Sequence, residues 1–153
     1  MRSFHSGDGF ALGSARVEVL APFPDYQPGP EPTNNDSLVL HVAYRSTSAM
    51  LEGDAEAPIE HAMLGESDLA STLLKVGHHG SITSTRPEFL GRVAPQWAVI
   101  SCGLHNRYGH PRQEVLEELQ AAHVRTLRTD MNGASCFLLN GTTLAPDFNC
   151  TAR

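Results

Sequence analysis

A chain of 153 residues with a formal net charge of −6 has the size of one domain with a sizeable core. Its acidic balance argues against sequence-independent nucleic-acid binding through a basic surface, although a nuclease stays open because bound divalent cations reverse the field of an acidic site. No apolar run approaches the roughly 18 residues of a membrane helix, and the opening MRSFHSGDGF lacks the apolar core of a secretory signal, so the sequence reads as soluble, without an address of its own.

Residues 16–20, RVEVL, alternate polar and apolar and predict a strand. The proline-rich APFPDYQPGPEPTNND that follows predicts a loop at a surface or site rim. Two strand-like runs, 37–44 and 48–52, are joined by a polar turn at Arg45–Thr47 and end in Gly53-Asp54. Ile59 and Met63 mark a helix over 56–64. STLLKV reads as a short buried strand running into His78 and His79. Thr85-Arg-Pro-Glu88 fits a capping box with proline in the first turn, predicting a helix from about 86 to 94. QWAVISC is another apolar strand. His110-Pro111 then opens a helix to about Ala122, with Val115, Leu116 and Leu119 inside, and strands 124–129 and 134–139 flank the turn DMNG. Strands alternating with helices predict an α/β layered domain over 1–145, with 146–153 as a tail. The three cysteines form no CxxC pair and give little support to a disulfide framework or zinc knuckle. Cys102 and Cys136 read as small buried strand residues, Cys150 as part of the tail.

Gly53-Asp54, Gly77-His78-His79 and Asn106–His110 each stand where a strand gives way to a loop, and in layered α/β proteins such ends gather on one edge. Asp54 taken alone is a helix N-cap; taken with its neighbours it is a carboxylate metal ligand. Paired histidines bracketed by Gly77 and Gly80 are harder to read as satisfied loop residues. Since adjacent strand residues point to opposite faces, one imidazole enters a metal shell and the other serves substrate or orients a ligand. His110 at a helix start, after Asn106, Arg107 and Tyr108, favours phosphate. Lys75 reads as a snorkelling lysine, and His5, His41, His61 and His123 as structural or surface residues.

Taken in order, NNDSLVLHV, MLEGDAEAPIE, LLKVGHHGSITS, AVISCGLHNRYGHPRQEVLEEL and LRTDMNGA resemble the metallo-β-lactamase-fold domain at the C-terminus of the ComEC family of DNA-internalisation proteins, over about residues 10–140. The resemblance implies an αββα sandwich, two divalent metal ions, manganese or zinc, and hydrolysis of phosphodiesters in DNA, with one strand degraded during uptake. It implies metal ligation by Asp54 and His78, with His79 as the alternative. It also implies a substrate pocket formed by His79, Ser81, Asn106, Tyr108 and His110. By the same resemblance the domain is attached to a channel in the bacterial inner membrane.

One departure is large. The family's first-half metal signature, H-x-H-x-D-H or H-x-D-x-D-H, occurs nowhere in this sequence. The expectation is therefore a C-terminal half of the fold, a mixed sheet with helices packed on it, holding one metal ion or none by itself. The missing half or a second copy of the chain would complete it. A catalytic zinc site takes three protein ligands and a water. Three functions compete: a metal-dependent nuclease domain active only when completed, a hydrolase of the same fold acting on another ester, and a non-catalytic module binding phosphate or a partner.

Overall fold

The alternation that begins at Ala15 builds an antiparallel meander, and the helices enter only after it. The computed structural model describes residues 3–65 and 68–147. Strands β1 (Gly9–Leu12), β2 (Ala15–Ala21), β3 (Val39–Tyr44) and β4 (Thr47–Leu51) pair antiparallel in chain order. From β4 onward the pairing is parallel, through β5 (Leu73–Lys75), β6 (Trp97–Ile100) and β7 (Arg125–Arg128), giving one seven-stranded mixed sheet. Parallel neighbours need crossovers, and helices α1 (Ala57–Met63), α2 (Pro87–Val93) and α3 (Gln113–Ala121) supply them. The expected α/β class is what the chain forms. Among the described residues, no helix is long and apolar enough to cross a membrane.

Register decides which side is the core. Met50 pairs with His41 and Leu74, and Leu74 with Ala98, so these share a face. The apolar stripes of the three helices close over it: Ile59 and Met63, Phe89 and Val93, Val115 and Leu119, all buried with Met50, Leu74 and Ile100. The other face carries Leu40, Leu51, Lys75, Val99 and Leu127, which remain half-buried or exposed. Over one end of that face lies a two-stranded sheet of β8 (Phe137–Leu139) and β9 (Leu144–Pro146), with the Phe137 ring 5.6 Å from the Trp97 ring.

Several expectations are corrected. A first hairpin strand, β1, precedes Ala15 in a stretch whose glycines hide it. DMNG is no hairpin turn: Thr129–Asn132 is one helical turn, α4, held by Arg128, which grips Asp130 at 3.1 and 2.7 Å and lowers its pKa to about 2. The strand after it pairs with β9 instead of β7. Helix α3 starts at Gln113, three residues past His110. Cys102 lies in the loop after β6, half-buried and free, and Cys136 is disulfide-bonded. Cys150 lies outside the described residues, as do residues 148–153 of the expected tail, whose first residue, Pro146, closes β9.

The capping box fails for a physical reason. Thr85 sits at φ 61°, unsuited to a cap and costly for a β-branched residue, and Arg86 takes the cap position of α2. Glu60, reaching from α1, accepts the backbone N–H groups of Thr85 and of Arg86, the latter at 2.9 Å. Beneath it Glu52 is fully buried, and as a carboxylate its oxygens find no well-formed hydrogen bond. Burial, then the charge of Glu60, pushes the Glu52 pKa well up; burial also raises that of Glu60, against the two N–H groups that favour its charge. Burial and mutual repulsion thus both favour a shared proton over two carboxylates in the same space. A raised folded pKa contributes stability that is full below the unfolded value, roughly 4.3 for glutamate, and is lost as pH rises through the folded value. Stability should therefore fall with rising pH above that range, and Glu52→Gln should flatten the decline. Urea midpoints measured across pH check this; an unaltered slope in the variant removes Glu52 from the account.

Candidate functional site

Strand β5 is only three residues long, so the paired histidines do not lie on it. Gly77–Gly80 forms a 3₁₀ turn in which His78 (φ 43°, ψ 43°) and His79 (φ 56°, ψ 23°) are both left-handed. The expectation that strand alternation separates them has no strand to act on; the turn splays the rings 6.5 Å apart at 64° instead. Three backbone bonds pin it: His78 N–H to Gly53 O at 3.0 Å, Ser81 N–H to His78 O at 2.9 Å, and Arg112 N–H to Gly80 O at 2.9 Å. Gly77 is required by space, and Gly80 by space and by its φ of 80°. A Cβ on Gly77 would run into the Glu52 carboxyl, and one on Gly80 would come within 2.6 Å of Pro111 Cβ.

His79 faces Asp54, with Nε2 3.3 Å from Oδ1. Its other nitrogen, Nδ1, lies 2.6 Å from the Ser101 carbonyl. A carbonyl oxygen only accepts, so Nδ1 carries the proton. Nε2 then presents a lone pair to a carboxylate, an arrangement that needs a cation: a second proton on the ring, or a metal ion between the two. A histidine whose far N–H is held by a carbonyl is the usual state of a metal ligand. Asp54 is no helix cap, because α1 takes its N-cap at Glu56. The Asp54 N–H is instead fixed by Ser37 Oγ at 3.0 Å, and the side chain stays 42% exposed, available from solvent.

His78 turns the other way. Its Nδ1 lies 3.2 Å from Thr83 Oγ1 and 3.3 Å from Glu56 Oε1, and its Nε2 lies 3.4 Å from Asn34 Nδ2. Glu56 also accepts from Thr83 Oγ1 and Asn34 Nδ2. The carboxylate of Glu56 thus anchors His78 to the proline-rich loop. The structure brings Asp54 together with His79, and His78 together with Glu56. Ser81 is buried and its hydroxyl is engaged with Thr83 at 3.0 Å, so it shapes the turn.

Asn106, Tyr108 and His110 arrive from the loop after β6. Asn106 is committed to that loop: Nδ2 donates to the carbonyls of Gly103 at 2.9 Å and His110 at 2.7 Å, and Oδ1 accepts the His110 N–H at 2.9 Å. The His110 ring lies 5.7 Å from that of His78 and stacks on Tyr108 at 5.9 Å and 14°. Burial first, then the charges of His78, Arg112 and His79, lowers the His110 pKa, which keeps this imidazole neutral. Because α3 begins later, the free N–H groups of its first turn are not at His110, and the expected phosphate seat there is not formed by the helix end. A cleft of about 400 Å³ opens between Asn34, Asp54, His78, His79, Tyr108 and His110.

Sequence reading missed Glu56, Asn34 and Ser101. Glu56 carried a signal, two residues beyond Asp54; Ser101 acts through its backbone, which no residue type announces. Among the described residues, no group of three or more histidine, cysteine or acidic side chains converges on one point. The Asp54–His79 pair fits part of a metal site, two ligands of the three or more required. Asn106→Ala should remove the side-chain partners of the His110 N–H and carbonyl, at about 0.5–1.5 kcal/mol for each bond, while the Gly103 carbonyl keeps the Asn106 N–H; hydrogen exchange should show the 103–110 amides exchanging faster with the sheet unchanged. Unaltered exchange there would mean that the loop is held by something else.

The chain is 41% identical over 128 residues to ComE operon protein 3 of Bacillus subtilis, covering 83% of this chain and 16% of that protein. It is 38% identical over 106 residues to competence protein ComA of Neisseria gonorrhoeae, covering 68% and 15%. To recombination protein 2 of Haemophilus influenzae it is 38% identical over 103 residues, covering 65% and 13%. The match thus spans between about one eighth and one sixth of the length of these relatives. No protein-family model matches it.

Proposed function

The chain belongs to the ComEC family of competence proteins, and from that premise we propose that it forms the ligand-poor half of a divalent-metal phosphodiesterase centre that acts on DNA during uptake. The observation that carries this is the facing pair of Asp54 Oδ1 and His79 Nε2, 3.3 Å apart, with His79 Nδ1 given over to the Ser101 carbonyl. Such a pair is suited to accept a cation. Divalent ions held there would neutralise phosphate charge and lower the pKa of a bound water. Zinc and manganese both suit imidazole with carboxylate.

The chain's own groups have separable tasks. Asp54 and His79 would hold the cation, with the Ser101 carbonyl orienting the imidazole and Ser37 Oγ fixing the Asp54 backbone. His110, neutral and between His78 and Tyr108, offers a hydrogen-bond donor or acceptor to a phosphate oxygen without adding charge. His78, tied to Glu56, keeps the turn closed and lines the same cleft. The remaining ligands come from polypeptide outside this chain or from a second copy. A non-catalytic reading, a module that binds phosphate or a partner, draws on the ligand count alone.

Metal and proton compete for His79 Nε2, so affinity should fall as pH is lowered. Titration calorimetry with Zn²⁺ or Mn²⁺ should show that decline in the native chain. Asp54→Asn and His79→Ala should each weaken binding at least about tenfold, a difference of roughly 1.4 kcal/mol, and His78→Ala should weaken it less. If His78→Ala empties the site and His79→Ala leaves it filled, the ligand is His78. Affinity that ignores both histidines and Asp54 removes the metal reading altogether.

The purified chain should also cleave single-stranded DNA poorly or not at all at physiological metal concentration, for want of ligands. Strong, chelator-sensitive cleavage would show that the site is completed within the chain or its dimer.

A further inference from the structure

A second cavity, of about 260 Å³, adjoins the cleft and is lined by Ser101, Cys102, Gly103 and Tyr108. His79, Tyr108 and His110 border both spaces, so these rings form the wall between them. The wall has an unusual composition for an exposed edge. Tyr108 is 62% exposed, yet it is fixed: stacked beside His110, with the Arg107 guanidinium 5.0 Å over its ring and donating to its hydroxyl at 2.9 Å. A large aromatic side chain held rigid and mostly exposed is an anchor for another ring at low entropic cost, the incoming ring taking the face over which the exposed Arg107 side chain now lies.

We infer that this cavity is a nucleobase subsite in which Tyr108 stacks the base of the nucleotide whose phosphodiester lies in the Asp54–His79 cleft. The inference rests on the phosphodiesterase reading and names where the rest of the nucleotide goes. Size agrees: the cavity is smaller than the roughly 300–1,000 Å³ of sites for whole drug-sized ligands, which suits one ring system. Distance agrees as well, since a base and its own phosphate occupy neighbouring spaces and here a single wall of rings separates them.

The walls also define what is not read. Asn106, the amide that could pair with a base edge, is engaged on both its polar atoms by Gly103 and His110. The Tyr108 hydroxyl oxygen accepts from Arg107, and its single rotatable O–H can donate to any base edge that offers an oxygen or nitrogen, so it selects none. What faces the cavity is mainly ring surface and backbone, so the subsite accepts any base by its π-face, as stacking platforms for single strands do. A duplex keeps its bases stacked on each other, so an unpaired strand is the form that fits.

The test compares a short oligothymidylate with an abasic strand of equal length and charge, titrated into the ¹⁵N-labelled native chain, Tyr108→Phe and Tyr108→Ala at one fixed salt concentration. The native chain and Tyr108→Phe should bind the thymidylate strand about tenfold or more tighter than the abasic one. Tyr108→Ala should lose that preference while its amide spectrum elsewhere stays native. Equal affinity for both strands in the native chain, with His79 and His110 still shifting, overturns the base subsite and leaves the phosphodiester cleft standing. A preference that survives in Tyr108→Ala overturns the assignment to this ring. If neither strand shifts His79 or His110, the cleft reading and the subsite fall together.

Discussion

Two successive histidines in the left-handed region set the terms for the rest of this structure. A non-glycine residue there costs on the order of 1–3 kcal/mol, and here two follow one another. The sequence Gly-His-His-Gly makes the turn affordable only because both flanks are glycine: one leaves space for the Glu52 carboxyl, the other lies against Pro111. The turn is thus clamped between the sheet and the 103–112 loop. Its backbone bonds to Gly53 and Arg112 tie together the ends of β4, β5 and β6. Those three ends carry Asp54, the histidines and Tyr108.

The same clamp explains the buried acid pair. Glu52 fills the space that Gly77 vacates, and Glu60 holds the backbone of Thr85 and Arg86, so the entry to α2 is fixed from α1. A buried carboxyl group is costly unless it is neutral or fully hydrogen-bonded. One member being neutral and the other taking two N–H donors meets that condition. The arrangement stiffens the far side of the turn from which His79 points, so the imidazole reaches Asp54 from a rigid base.

The sequence disclosed which segments meet and concealed how they meet. Asp54, His79 and His110 were legible as neighbours because parallel strands bring their C-terminal ends to one edge, and the glycines beside them marked the loops. The choice between His78 and His79 was not legible. The alternation rule belongs to extended backbone, and β5 ends at Lys75, before either histidine. The capping box failed similarly: the spacing of Thr85 and Glu88 was right, but tertiary contact with Glu60 holds Thr85 at a torsion no cap adopts. Asn106 entered the expected substrate pocket through the family resemblance, and its side-chain bonds to Gly103 and His110 depend on a loop geometry that local pattern does not reveal. The strand pairing after β7 was misread because DMNG has turn composition while Arg128 and Asp130 lock it into a helical turn. Glu56 and the Ser101 carbonyl show the remaining limit, since long-range partners and backbone atoms leave no mark in local pattern.

An acidic chain that handles a polyanion must gain affinity from something other than a basic surface, and within the proposed function this one has two such sources. A cation bound between Asp54 and His79 would turn the most negative part of the cleft into an electrostatic attractor. A ring platform at Tyr108 adds stacking, which carries no charge and does not release counterions. Salt dependence of binding follows the number of phosphates neutralised by protein cations, and near this cleft the candidates are few: Arg107 is turned onto Tyr108, Lys75 bonds the Val76 carbonyl at 2.7 Å, with burial lowering its pKa, and Arg112 remains as the exposed cation near His110. Under the proposed function, binding would therefore depend on metal and base stacking more than on ionic strength, the reverse of the pattern for a basic DNA-binding surface.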